Sequence, residues 1–164
     1  QISKNGLVRE AYRKSGFETG PLGFPTSNEI FIRGGTYQNF QNGAILWSQA
    51  TGAQVSLSGP IRTAYQSQGF ETGILGFPTS GEVAIPGGKY QNFQNGAILW
   101  SQATGAQISK NGPIREAYRK SGFETGPLGF PTSNETVVGS DLVQQFQGGQ
   151  IKMTSSGGTS VSYR

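Results

Sequence analysis

The tetrapeptide Leu-Gly-Phe-Pro stands at Leu22–Pro25, Leu75–Pro78 and Leu128–Pro131, 53 residues apart each time (75 − 22 and 128 − 75). A fixed period of this length marks a repeat architecture, in which one supersecondary unit is copied and its copies are stacked. The flanks obey the same period. Tyr37–Gln54 is identical to Tyr90–Gln107, and Gln1–Glu29 differs from Gln107–Glu135 only at Leu7/Pro113 and Val8/Ile114. The expected organisation is a single repeat domain over 1–164, with units 1–53, 54–106 and 107–159, the last degenerate, and 160–164 as a terminal strand. Such copying favours a repeated surface over a single active centre.

Composition sets how the units must combine. With 34% hydrophobic residues in 164, a core forms only if the copies share it, because a lone 53-residue unit buries too little surface to be more than marginal. The 26 Gly and 8 Pro recur at fixed offsets among aromatics, which implies an ordered, turn-dense fold rather than a linker. There is no Cys and no His. The usual general base at neutral pH and the commonest transition-metal ligand are therefore missing, which argues against hydrolases and metalloenzymes. No catalytic residue, metal or cofactor is expected. No stretch approaches the roughly 20 apolar residues of a membrane span, so no membrane insertion is expected. The chain opens partway through a repeat, as an excised piece or a processed product would.

Within the middle unit, Gln54-Val55-Ser56 reads as a short opening strand and Pro60–Gln68 as a helix. Pro60 lies just inside its start and Gly69 just past its end, the favoured places of both residues. Ile61, Ala64 and Tyr65 make one apolar stripe, and Phe70 folds back on the last turn. The span Glu71–Ser80 is a tight loop whose Leu75 and Phe77 point inward. A hairpin follows, with Tyr90–Gln94 and Ala97–Ser101 flanking Asn95-Gly96, a strong type I′ turn signal. Pairing Gln94 with Ala97 puts Gln91, Phe93, Ile98 and Trp100 on one face and Tyr90, Asn92, Leu99 and Ser101 on the other. Both faces are partly apolar, so one is expected to pack on its own helix and the other on the neighbouring copy. The third copy departs from the pattern after Glu135, and Thr136–Arg164 reads as a terminal cap.

Linked in register, L-G-F-P-T-S-x-E, F-x-N-G-A-I-x-W, T-G-A and G-x-I-R-x-x-Y resemble the LGFP repeat over nearly the whole chain. The resemblance implies exported, cell-wall-associated modules of actinobacteria, attached to mycolyltransferases or peptidoglycan-cleaving amidases and holding them on wall glycan, arabinogalactan in particular. It implies no activity of the module itself, and a covalently attached upstream enzyme as a partner. Two positions depart from the family. Gln54 and Gln107 stand where many copies carry His after the T-G-A turn, and Tyr12, Tyr65 and Tyr118 stand where many carry Trp in the helix.

Trp47 and Trp100 suit either sugar stacking or packing between copies. Tyr37, Tyr90, Gln38, Gln91, Asn39 and Asn92 place rings beside amide donors and acceptors, which is equipment for neutral hydroxyls. Glu29, Glu82 and Glu135 recur after Thr-Ser-Asn or Thr-Ser-Gly, either capping backbone amides of the corner or accepting sugar hydroxyls. With Glu18, Glu71 and Glu124 they form carboxylate pairs of the kind that cleaves glycosides, but three equivalent catalytic centres in one small array would be unusual. A net charge of +4 and pI near 9.5 invite a nucleic-acid reading. Against it, Arg13-Lys14 becomes Gln66-Ser67 and Arg33 becomes Pro86, so no continuous phosphate track repeats. The fold class expected is α+β, tandem units of helix plus hairpin around a pseudo-symmetry axis, with a β-trefoil as the rival fold that a helix in every unit disfavours. The function expected is secreted, wall-associated glycan binding. The rival reading is a structural or adhesive array that contacts protein partners.

Overall fold

The computed structural model describes residues 6–164, and the first unit's opening stretch, 1–5, lies outside the described residues. Each copy contributes one helix and one four-stranded antiparallel sheet, so the chain is α+β. The helices are α1 (Leu7–Lys14), α2 (Pro60–Ser67) and α3 (Pro113–Lys120). The first sheet runs β1 (Ile30–Ile32), β2 (Gly35–Phe40), β3 (Gly43–Ser48) and β4 (Gly52–Leu57) in spatial as in chain order. The second is β5 (Pro78–Ile85), β6 (Gly88–Phe93), β7 (Gly96–Ser101) and β8 (Gly105–Lys110). The third is β9 (Thr136–Val138), β10 (Asp141–Phe146), β11 (Gly149–Met153) and β12 (Thr159–Tyr163). Contacts divide the chain into two compact units, one running to Val83 with Gln91–Gln94 added, the other Ala84–Tyr90 with Asn95–Arg164.

The helix forms where the pattern puts it. Ile61 and Tyr65 are fully buried, as are Ile114 and Tyr118, while the polar face carries the Glu10–Arg13 and Glu116–Arg119 pairs one turn apart. After each helix a glycine leads into a single 3₁₀ turn, Phe17–Thr19, Phe70–Thr72 or Phe123–Thr125. The leading phenylalanine takes φ of 53–54°, a region that costs an L-residue about 1–2 kcal/mol. Ring contacts compensate: Phe70 meets Tyr65 edge-on at 5.4 Å, and the Arg62 guanidinium lies 4.9 Å above its centroid.

The expected two-stranded hairpin is the middle of a wider sheet. The strand read as opening a unit in fact closes the preceding sheet: β4 pairs with β3 through Ile45↔Val55 and Leu46↔Gln54. In the same way β12, with Ser160 to Ser162, closes the third sheet. An outer strand, β1, β5 or β9, was hidden because its residues lack apolar alternation.

The hairpin register also differs from the expected one. In the first sheet Phe40 pairs with Gly43 around Gln41-Asn42, and in the third Phe146 pairs with Gly149 around Gln147-Gly148. Tertiary bonds override the local Asn-Gly preference. Asn42 N donates to Leu22 O and Asn42 O accepts from Ser58 N, at 2.9 and 2.8 Å, tying the turn to the corner and to the end of β4. The glycine is required one place later, because a Cβ at Gly43 would lie 3.0 Å from Leu57 Cα and 3.2 Å from Leu22 Cδ2. The difference is a two-residue slip, so the expected faces survive.

The two faces pack as expected. Phe40, Ile45 and Trp47 join Val8, Tyr12 and Leu22 in one core, which is the sheet against its own helix. On the opposite face of the second sheet, Ala97 and Leu99 join Ile114, Tyr118, Leu128, Phe130, Phe146 and Ile151, which belong to the third copy.

The signature corner is a packed joint. Leu22, Leu75 and Leu128 are fully buried. The corner glycines have φ of 71–76°, and a Cβ there would sit 2.5–2.6 Å from Oε1 of Gln41, Gln94 or Gln147. That oxygen accepts the next backbone N–H, of Phe24, Phe77 or Phe130, at 2.9 Å. The glycine carbonyl accepts the helix tyrosine hydroxyl, of Tyr12, Tyr65 or Tyr118, at 2.7–2.8 Å. Phe77 then reaches the previous sheet, where its ring would lie 3.1 Å from a Cβ at Gly35, and Phe130 does the same at Gly88 at 3.0 Å.

Candidate functional site

A groove of about 290 Å³ opens where the first sheet meets the second copy's helix and 3₁₀ turn. Its lining is Tyr37 and Asn39 of β2, Ala44 and Leu46 of β3, Arg62 of α2, and Phe70 and Glu71 of the 3₁₀ turn. Strand alternation puts the four sheet residues on the face turned away from α1, and the Ala44 and Leu46 side chains make an apolar floor. Arg62 is held rigidly: its Nη1 donates to Ser56 Oγ at 2.9 Å and its plane covers Phe70. Burial pushes its guanidinium pKa down, although Tyr65 opposes the shift. Glu71 supplies a carboxylate on the same wall, so the groove holds both signs of charge beside an amide, a phenol and a ring.

The same side chains recur 53 residues on as Tyr90, Ala97 and Leu99 of the second unit with Arg115, Phe123 and Glu124 of the third. Arg115 Nη1 donates to Ser109 Oγ at 2.8 Å and its guanidinium lies 5.0 Å above the Phe123 ring, so the wall is built the same way. Tyr90 and Phe123 both pack half-buried on the core that contains Leu99 and Tyr118.

The structure separates the residues singled out from sequence. Tyr37 and Asn39 line the groove. Trp47 lies in the first core at 6% exposure, while Trp100 is half-buried with the Lys89 ammonium 5.4 Å over its ring. Gln38 and Gln91 act as internal clamps. Gln38 Nε2 donates to Ser27 O, and Gln91, 1% exposed, donates to both Ser80 O and Val55 O. The main-chain N of Asn92 donates to Ser80 Oγ at 3.0 Å.

The corner's backbone amides are capped by serines, with Ser27 Oγ accepting from Asn39 N and Ser133 Oγ from Gln145 N. Asn134 Oδ1 similarly accepts from Ile108 N at 2.7 Å. Glu29 and Glu82 are half-buried beside these serines in sequence. Glu135 pairs with Lys110 at 3.6 Å, and its burial raises its pKa more than Lys110 lowers it. The positions where the sequence departs from the resembled pattern have structural duties here: Gln54 and Gln107 bond the Thr51 and Thr104 carbonyls, and the three tyrosines fix the corners.

Arg62 escaped the sequence reading as a site residue, and Phe70 and Glu71 were read only as a helix-end contact and as one of a carboxylate pair, because a unit boundary drawn at residue 54 puts all three in a different copy from Tyr37 and Asn39. The signal was present in the recurrence of Arg and Phe-Glu at 53-residue spacing, as Arg62/Arg115 and Phe70-Glu71/Phe123-Glu124.

Comparison with known families draws the boundary differently. The LGFP repeat matches residues 22–73 and again 75–126, together more than half of the chain. The chain belongs to the LGFP repeat family. No curated protein matches it. Each LGFP match runs from a corner, through its sheet, to the next copy's 3₁₀ turn, so all seven groove residues fall inside residues 22–73. The LGFP unit is thus also the unit that encloses one groove. Among the described residues no helix is long and apolar enough to cross a membrane.

Proposed function

We propose that this chain is a non-catalytic glycan-binding module that holds an attached enzyme in the cell wall, with arabinogalactan as its polymer. LGFP repeats are often cell-wall-associated modules, and the groove's chemistry supports that use. The carrying observation is the groove itself: Tyr37, Asn39, Arg62 and Glu71 surround an apolar floor and offer donors and acceptors of both charges. Such a lining suits neutral polyols. Ring C–H faces rest on the Tyr37 and Phe70 rings, while hydroxyls exchange bonds with the amide, the guanidinium and the carboxylate. Its volume lies just below the roughly 300–1,000 Å³ of small-ligand sites, and it is open, which favours a short stretch of chain held weakly. Two copies of the lining on one polypeptide raise retention on a repeating polymer through effective concentration, with no need for a tight single site.

The localisation that follows is secreted and wall-bound. The test is retention on purified arabinogalactan, by pull-down and calorimetry, of the native chain and of an Asn39→Ala/Asn92→Ala variant checked for an unchanged circular dichroism spectrum. Native retention and a loss of about tenfold or more in the variant support the reading. A folded native chain that ignores the glycan but captures a protein ligand hands the function to the adhesive alternative.

A further inference from the structure

The three signature corners are chemically identical but not equally covered. Phe77 and Phe130 are 7% exposed, against 59% for Phe24, and Pro78 and Pro131 are buried while Pro25 is exposed. The covered pair rest on the Gly34-Gly35 and Gly87-Gly88 turns of the sheet before them. Behind Phe24 stands the rest of a groove wall, already assembled. Arg9 lies 5.2 Å over Phe17, matching 4.9 Å and 5.0 Å in the later copies, and Glu18 follows where Glu71 and Glu124 stand. Arg9 and Glu18 are exposed, whereas their counterparts are half-buried. The α1 face is therefore the second half of a joint and of a groove, and it meets no first half among the described residues.

A second copy of this chain does not offer that first half. Its glycine-bearing turns are filled by Phe77 and Phe130, and its third sheet has changed face. Asp141, Val143, Gln145, Gln150 and Lys152 replace the Gly, Tyr, Asn, Ala and Leu of the sheet before. Asp141 sets a Cβ and a carboxylate where the phenyl edge would rest, and Gln145 Nε2 bonds Gln150 Oε1 across the face at 3.1 Å, making it polar. This face is the one on which the earlier sheets receive the following helix.

We propose that the surface formed by Phe24, Pro25, Arg9, Phe17 and Glu18 docks an LGFP-type sheet of another polypeptide segment, one that carries a Gly-Gly turn and the Tyr/Asn/Ala/Leu face, and completes a further groove with it. The third sheet, with its changed face, does not serve as that partner.

The test restores the missing face on the full chain. Ser140→Gly, Asp141→Gly, Val143→Tyr, Gln145→Asn, Gln150→Ala and Lys152→Leu together convert the third sheet into an acceptor. In sedimentation velocity the native chain keeps one mass across concentration, the re-faced chain at least doubles its mass, and adding Phe24→Ser returns it to the native mass. A re-faced chain that stays monomeric with a native dichroism spectrum overturns the proposal. So does association that Phe24→Ser leaves intact, or a native chain whose self-association Phe24→Ser abolishes. Should the re-faced chain not fold, a chain with residues 1–53 duplicated ahead of its first residue gives the same reading. Amide exchange at the original Phe24–Thr26 is then expected to slow about tenfold or more relative to the native chain, and unchanged exchange overturns the proposal.

Discussion

Truncating the corner phenylalanine should have opposite consequences in chemically identical tetrapeptides. Phe77→Ala removes a ring that is 7% exposed and that lies against the Gly34-Gly35 turn, where an added Cβ would come within 3.1–3.6 Å of it. Buried Phe→Ala changes cost about 3–5 kcal/mol. Phe130→Ala, with the same exposure and the same contact at Gly87-Gly88, should cost the same. Phe24→Ala removes a ring that is 59% exposed, and surface changes of that kind stay within about 0.5 kcal/mol. At roughly 2–4 °C per kcal/mol for a chain of this size, the first two variants should melt about 6–20 °C lower and the third within about 2 °C of native. Thermal melts followed by far-ultraviolet circular dichroism read all three directly. Equal shifts in the three variants, or a larger one for Phe24→Ala, would refute the claim that each corner completes the sheet before it.

Other outcomes follow from single bonds. Tyr65→Phe leaves the buried Gly76 carbonyl without the hydroxyl 2.8 Å away and should cost about 1–3 kcal/mol in urea denaturation, with an unchanged m-value. Gly76→Ala should cost more than Tyr65→Phe, because its Cβ sits 2.6 Å from Gln94 Oε1 and φ is +75°; displacing Gln94 also strips Phe77 N of its acceptor. Glu135 has a raised pKa through burial, so its folded site favours the protonated form. The stability it contributes is complete below the unfolded carboxylate range and is lost as pH rises through the folded value. Glu135→Gln should therefore stabilise the chain at neutral pH relative to native, with the difference shrinking toward pH 4 in denaturation curves taken across pH.

Local signals showed through the sequence wherever local chemistry decides. The helix ends were legible because Pro60 and Gly69 act on their own backbone, and the two-faced hairpin was legible because alternation survives a two-residue slip. The turn position was not legible, since Asn42 is held by Leu22 and Ser58, both distant in sequence. The same applies to Phe17, Phe70 and Phe123, whose left-handed backbone is stabilised by contacts with the tyrosine ring and the arginine rather than by any glycine of their own. In the candidate site, Tyr37 and Asn39 were visible as strand residues with ring and amide side by side. Arg62 was not, and Phe70 and Glu71 were visible only in other roles, because the groove is closed by the copy that follows and no local pattern announces which neighbour supplies its wall. Trp47 shows the converse. A large aromatic in a repeat suits a sugar platform and a core equally, and only the packing of Val8, Tyr12 and Phe40 around it separates the two.

The most direct measurement is a crystal of the folded chain soaked with an arabinogalactan oligosaccharide. The account predicts sugar density over the Ala44–Leu46 floor, with hydroxyls within hydrogen-bond distance of Asn39, Arg62 and Glu71. Sugar bound away from this groove, or an empty groove at saturating oligosaccharide, would contradict it.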